Sequence, residues 1–222
     1  ETEDLHSWVG TLIDSSEDAL SRLERHENLS SEQKHDLATI VELRPQLMQW
    51  LEQLKHQAVQ ALKTRHHGDY HLGQVLVVEN DFVIIDFEGE PARSLAERRH
   101  KHSPLRDVAG MLRSFNYAAY AALGRVSAER AENFASVELF AREWQRFSEQ
   151  AFLEGYREAI AGCGVYPADE RQAKALLDLF LLEKVIYELK YELDNRPDWL
   201  SIPMKGLVGL LTARAVPNPA DS

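Results

Sequence analysis

His67-Gly68-Asp69-Tyr70-His71-Leu72-Gly73-Gln74, followed by Val83-Ile84-Ile85-Asp86-Phe87-Glu88, decides how this chain is read. Gln74 stands five positions after Asp69, and Asp86 seventeen after it. Between them, Val75-Leu76-Val77-Val78-Glu79 and Phe82-Val83-Ile84-Ile85 read as two strands joined by a tight turn at Asn80-Asp81. A hairpin returns the chain to its starting point, which predicts Asp86 beside Gln74. Two oxygen donors close together suit Mg²⁺, which takes one or two protein oxygens and completes its shell with phosphates and water. The plainer alternative is a surface hairpin with incidental acids.

The order and first offset resemble the protein kinase signature H-R-D-x-x-x-x-N followed by D-F-G. In that signature the first Asp takes the hydroxyl proton, and the Asn and the second Asp hold magnesium. The wording narrows the family. His67-Gly68-Asp69-x-His71, Asp86-Phe87-Glu88-Gly89-Glu90-Pro91-Ala92-Arg93 and Ser103-Pro104-Leu105-Arg106-Asp107-Val108-Ala109-Gly110-Met111-Leu112-Arg113-Ser114 resemble bacterial maltokinases, often fused behind a trehalose synthase. The resemblance implies the C-terminal lobe of a protein-kinase-like, aminoglycoside phosphotransferase-like fold, mainly α with a small β-hairpin. It implies ATP-dependent phosphorylation of maltose at the anomeric hydroxyl, with Mg²⁺ as cofactor and maltose and ATP as partners.

Carried over residue by residue, the resemblance makes Asp69 the catalytic acceptor of the hydroxyl proton and His67 the organiser of its loop. Gln74 and Asp86 become metal ligands, with Glu88, in place of the Gly of D-F-G, a weaker one. Asp107 reads as an N-cap from its position; the family fold adds a role in bracing the catalytic loop from below. His66 and His71 beside His67 suggest a metal cluster only for zinc or iron, since hard Mg²⁺ prefers oxygen. On the last long helix, Lys184, Tyr187, Glu188 and Tyr191 recur at spacings of three and four, off the apolar stripe of Leu179, Leu182, Ile186, Leu189 and Leu193. Maltokinases place sugar contacts in a similar pattern, here Glu183 to Glu192, and ring faces suit the C–H face of a sugar. A solvated face with half-buried tyrosines is the alternative. Arg196 and Trp199 are weaker candidates just beyond.

Residues 1–66 carry neither a strand run nor a Gly-rich loop. The expectation is therefore a catalytic lobe over 1–213, lacking an N-terminal nucleotide-covering lobe and inactive without it. Within it, 1–66 are leading helices, 67–90 the catalytic loop and metal hairpin, and 91–213 a helical substrate subdomain; 214–222 read as a disordered tail. The leading helices are expected at Glu3 to Leu12, from Ser15 or Ser16 to His26, and from Ser30 or Ser31 to a break or kink at Pro45. A stripe at Leu47, Leu51, Leu54, Ala58 and Ala61 follows. A loop spans Glu90 to Pro104, its Arg98-Arg99-His100-Lys101 either bordering the phosphate site or simply solvated. Helices follow from Asp107 to Leu123, closed by Gly124; from Ser127 to Ala161; and from Ala168 to Asp194.

A net charge of −11 over 222 residues argues against a nucleic-acid partner, whose phosphates call for clustered Lys and Arg. It also makes a metal bridge necessary for a bound nucleotide. One cysteine, Cys163, rules out an internal disulfide, and no apolar run is long enough for a membrane span. A cytoplasmic setting fits. Other readings are a kinase acting on an aminoglycoside, choline or another sugar, or a non-catalytic binding lobe beside a trehalose synthase.

Overall fold

The computed structural model describes residues 2–90, 94–129 and 134–215. The described residues form seven α-helices, one two-stranded antiparallel sheet and short 3₁₀ turns at Leu72–Gln74 and Pro197–Trp199: α1 (Thr2–Glu24), α2 (Ser31–Lys55), β1 (Val75–Val78), β2 (Asp81–Ile84), α3 (Leu95–Arg99), α4 (Leu105–Glu129), α5 (Phe134–Ile160), α6 (Glu170–Asn195) and α7 (Ser201–Ala215). The chain divides into two compact units. Residues 1–60 and 174–222 form one, and 61–173 form the other.

The first unit gathers α1, α2, α7 and all but the first turn of α6. The expected break at Ser15 or Ser16 does not occur. Leu5, Val9, Leu12, Ser16, Ala19, Leu20 and Leu23 are all buried at helical spacing, so one continuous apolar stripe overrides the capping preference of the serines. Ser30 starts α2 in a capping box: its Oγ accepts from Gln33 N–H at 3.2 Å, and Gln33 Oε1 accepts from Ser30 N–H at 2.8 Å. Pro45 lies inside α2 without ending it, despite a usual interior cost of about 3 kcal/mol. Buried Ile40 before it and Leu47, Leu51 and Leu54 after it hold the helix in place. The helix stops at Lys55, so Ala58 and Ala61 do not extend the stripe, and residues 56–66 are not helical.

A helix the sequence reading lacked, α7, follows Trp199. Pro203, Gly206 and Gly209 hid it, yet Ile202, Met204, Leu207 and Leu211 are buried at helical spacing. Arg214 lies over the Trp50 ring at 3.6 Å and pairs with Asp178, joining α7 to α2 and α6. Burial holds the Arg214 guanidinium below its usual pKa, and Asp178 opposes that shift. The expected tail at 214–222 thus begins inside α7, and its remainder from 216 lies outside the described residues.

In the second unit the hairpin pairs Val75 with Ile84 and Val78 with Asp81, so the turn is Glu79-Asn80, one residue earlier than expected. Glu79 takes the left-handed backbone there, φ 54°. The expected loop from Glu90 to Pro104 contains α3, opened by a Ser94/Glu97 capping box. Pro91 to Arg93 lie outside the described residues. Helix α4 starts at Leu105, whose N–H donates to Ser103 Oγ at 3.3 Å, so Asp107 sits in the first turn and is not the cap. It runs through Gly124 and Ser127 to Glu129; neither residue bounds a helix. Its buried Leu105, Val108, Ala109, Met111 and Leu112 provide the apolar face of this unit, and α5 packs along it. Between them, Asn116 Nδ2 donates to Gln145 Oε1 (3.2 Å), and within α5 Gln145 Nε2 donates to Glu149 Oε1 (2.7 Å).

Candidate active site

The hairpin register brings the metal candidates together. Because Val75 faces Ile84, the next residues back and forward along the pair are Gln74 and Ile85, and Ile85 N–H donates to Gln74 O at 3.0 Å. One step on, Asp86 Oδ2 accepts from Gln74 Nε2 at 2.9 Å. Asp86 holds φ 64°, a left-handed conformation that aspartate tolerates better than most side chains and that turns the chain out of the strand. Glu88 is exposed, and its backbone oxygen accepts from Arg98 Nη1 at 3.4 Å. Of the basic run, Arg98 therefore leans against the segment after Asp86.

The loop bearing Asp69 is held from three sides. From below, both Asp107 oxygens accept backbone amides, from His67 N–H at 2.6 Å and Gly68 N–H at 2.9 Å. From the hairpin, Ile85 O meets His67 Nε2 at 2.8 Å, while His67 Nδ1 accepts from Asp69 N–H at 3.3 Å. These two contacts define the Nε2–H tautomer and occupy both ring nitrogens, leaving His67 as an organiser with no nitrogen free for proton transfer. From the side, Phe87 and Tyr70 pack rings on His67 at 4.9 and 5.5 Å. Burial, and then the Asp107 charge, push the Tyr70 hydroxyl above its usual pKa.

Gly68 and Gly89 permit this approach. Both have positive φ (86° and 76°), and a Cβ on Gly68 would lie 3.4 Å from Gly89 Cα. The Asp69 side chain keeps 23% exposure, and His71 Nε2 lies 3.9 Å from its Oδ2. His71 Nδ1 accepts from Gly73 N–H at 3.0 Å, which leaves the Nε2 proton facing that carboxylate.

For magnesium, the donor chemistry fits. A carboxylate and an amide lie side by side, and with its nitrogen given to Asp86 the Gln74 side chain keeps Oε1 for a cation. Among the described residues no three His, Cys, Asp or Glu side chains gather as a metal cage, and the three histidines near the loop form none. A hard cation that draws its remaining ligands from phosphate needs no such cage.

The tyrosine face of α6 belongs to the first unit and is built differently from the expected open platform. Tyr187 and Tyr191 stack with centroids 6.3 Å apart and planes at 21°. Lys184 Nζ lies 5.0 Å over the Tyr187 ring, and Arg196 Cζ lies 5.2 Å over Tyr191 and 5.1 Å over Trp199. Arg196 is itself fixed by two bonds to Glu192, Nε to Oε2 at 3.0 Å and Nη2 to Oε1 at 2.7 Å. Each tyrosine thus has a cation over its ring and another ring stacked beside it. Glu188 does not share the exposed face: it is buried, like Val185 and Glu192 one turn to either side. Leu179, Leu182, Ile186 and Leu189 form the buried stripe as expected, and Leu193 is half-buried.

Taken together, the fold is kinase-like: mainly helical, with a small hairpin between a braced Asp loop and a second Asp. In solved structures it matches a glucosamine kinase with a TM-score of 0.72 at 22% identity, covering 97% of this chain and 48% of that one. It matches a glucosamine kinase in complex with glucosamine, ADP and inorganic phosphate with a TM-score of 0.71, covering 97% and 49%.

In sequence, the chain is similar to the glucosamine kinase of Streptacidiphilus jiangxiensis, 28% identical over 148 residues, 67% of this chain and 32% of that protein. It is also similar to the glucosamine kinase of Mycolicibacterium smegmatis (strain ATCC 700084 / mc(2)155), 33% identical over 149 residues, 65% and 34%. The chain therefore spans about a third of the length of these relatives and about half that of the solved ones. No family model matches it. These relatives are sugar kinases named for glucosamine, so the expected maltose specificity rests on motif wording alone. Among the described residues no helix is long and apolar enough to cross a membrane.

Proposed function

We propose that this chain is the C-terminal lobe of an ATP-dependent sugar kinase whose acceptor is an amino sugar of the glucosamine type. The observation that carries the reading is the braced loop: Asp107 fixes the His67–Gly68 backbone next to Asp69, and His67 ties that loop to Ile85, the residue before Asp86, whose carboxylate accepts from Gln74. In this reading Asp69 aligns the sugar hydroxyl and accepts its proton as the phosphoryl group transfers in line. Asp86 and Gln74 Oε1 would hold Mg²⁺, which supplies positive charge against the ATP phosphates. The remaining catalysis is positioning, since phosphoryl transfer has a loose transition state with little covalent work for the protein. His67 keeps loop and hairpin in register. Lys184, Tyr187 and Tyr191, in the other compact unit, are assigned to the sugar by the motif resemblance alone. Glu88 is a reserve oxygen.

The amino-sugar acceptor draws support from the named relatives. A second reading, maltose phosphorylated at its anomeric hydroxyl beside a trehalose synthase, is favoured by the D-F-E-G-E-P wording and the Glu183–Glu192 pattern. An N-terminal lobe covering ATP is part of both. The hairpin's exposed Val77 and Phe82 are consistent with a wall that another lobe or a nucleotide covers.

The test is a longer polypeptide carrying this chain, given ATP, Mg²⁺ and a panel of glucosamine, glucose, maltose, choline and an aminoglycoside. Glucosamine phosphate is the expected product. Maltose 1-phosphate alone would move the acceptor to the second reading, and no phosphorylated sugar at all would sink the kinase assignment. The 222-residue chain alone is expected to be inactive.

A further inference from the structure

Helix α4 meets the catalytic loop at three points along one face. Asp107 takes the His67 and Gly68 amides, Gly110 lies under Tyr70, and Ser114 Oγ accepts from Leu72 N–H at 2.9 Å. The spacing of three and then four puts 107, 110 and 114 in one row, and successive loop residues meet successive helix positions. The outer contacts are two helical turns apart, about 10.5 Å along the axis.

Two of the three are poor helix residues in a helix interior. A glycine there gives up backbone entropy, and a serine hydroxyl ordinarily turns back to its own helix. Each departure has a loop-side reason. A Cβ on Gly110 would lie 2.7 Å from Tyr70 O, inside any real contact, so only glycine admits the loop. Ser114 completes the 3₁₀ turn Leu72–Gln74: Gly73 N–H goes to His71 Nδ1 and Gln74 N–H to His71 O, both within the loop, whereas Leu72 N–H is the one held by α4.

We propose that Ser114 is a positioning residue for the Gln74–Asp86 metal pair, with Gly110 setting the depth of the loop. Asp107 anchors the segment that carries Asp69, and Ser114 anchors the turn that carries Gln74. The rigid helix between them then sets the separation of proton acceptor and metal donors. The catalytic consequence rests on the kinase reading above; the tether itself does not.

The experiment compares Ser114→Ala and Ser114→Thr. In the 222-residue chain, amide exchange is read at Leu72 and Gln74 against His67 and Gly68, which Asp107 holds. Ser114→Ala is expected to speed exchange at the first pair by roughly tenfold, the weight of one hydrogen bond, and to spare the second pair. In the longer kinase the same change raises the Mg²⁺ half-saturation about threefold to tenfold and lowers kcat, while sugar KM stays put; Ser114→Thr, which keeps the hydroxyl, restores both. Equal loss of protection at all four amides, or an unchanged Mg²⁺ half-saturation in an active Ser114→Ala enzyme, would overturn the proposal. Should the wild-type polypeptide phosphorylate no sugar, the kinase reading falls by itself. The exchange difference then decides the tether, with selective acceleration upholding it and uniform or absent acceleration ending it.

Discussion

Replacing Asp107 by asparagine should loosen the loop that carries Asp69 out of proportion to the size of the change. The carboxylate accepts two backbone N–H groups at once, 2.6 Å from His67 and 2.9 Å from Gly68. Hydrogen bonds to a charged acceptor contribute about 1.5–3 kcal/mol each. Asparagine keeps one oxygen, now neutral, and turns an NH₂ toward the second amide, so one bond weakens and the other becomes a donor facing a donor. The net loss is about 3 kcal/mol. For a chain of this length that corresponds to a Tm lower by roughly 6–12 °C, at about 2–4 °C per kcal/mol. Asp107→Ala should cost at least as much, because it leaves both amides without their acceptor. Thermal unfolding gives the total, and amide exchange at His67 and Gly68 gives its location. A Tm within about 2 °C of wild type, with both amides still protected, would show that the carboxylate does not brace the loop.

If the chain acts as proposed, Asp69→Asn in a longer polypeptide carrying it should lower kcat by roughly 10²–10⁴ with the fold intact, since only proton acceptance and hydroxyl alignment are lost; near-normal turnover removes Asp69 from the mechanism. Tyr187→Ala and Tyr191→Ala should each raise sugar KM about tenfold to a hundredfold with ATP KM unchanged; easier unfolding with normal sugar KM would make them structural. Tyr156 has its hydroxyl buried with no hydrogen-bond partner and its pKa pushed up to about 12, by burial first and then by Tyr166 and Asp107. Because the folded-state pKa is raised, the unfolded chain ionises first, so this contribution is complete below pH 10 and fades as pH climbs toward 12. Tyr156→Phe should therefore flatten the alkaline loss and stabilise the chain by up to about 1 kcal/mol at neutral pH; identical urea curves for both proteins at pH 8 and pH 11 would count against it.

The sequence was most legible where chemistry and geometry share the same few residues. The β-branched runs on either side of Glu79-Asn80 dictate a hairpin, and a hairpin of that length dictates that Asp86 returns to Gln74, whichever residue takes the turn. Helix ends were less legible because tertiary burial outweighed local signals. Ser15, Ser16 and Ser127 look like caps and Gly124 like a stop, yet none bounds a helix. Pro45 stays inside α2 because leucines beyond it are buried. For α7 the local signals mislead in the opposite direction: two glycines and a proline mask an apolar row that packs against α2. At the site, Ser114 closes the Ser103–Ser114 motif, whose wording alone marks no role for it. Its signal was the row shared with Asp107 and Gly110, which has meaning only once the loop above it is placed.

If the α6 face contacts the sugar, as proposed above, its make-up bears on which sugar is read. Arg196 is paired with Glu192, whereas Lys184 lies over the neutral Tyr187 ring. A protonated amino sugar would not bring its ammonium to Lys184, because like charges at close range repel in a partly desolvated site. Nor could a sugar stack on a tyrosine face without displacing a cation or the neighbouring ring. What the row offers is phenol hydroxyls and an ammonium donor, groups suited to sugar hydroxyls and indifferent to whether the ring elsewhere carries nitrogen. Lys184→Gln therefore separates two roles. If this face reads hydroxyls common to glucosamine and maltose, the KM values for both rise together. If Lys184 excludes cationic sugars, the variant improves glucosamine and leaves maltose unchanged. The geometry favours the first outcome, since Lys184 Nζ is 5.0 Å from the Tyr187 ring, held as part of the stack.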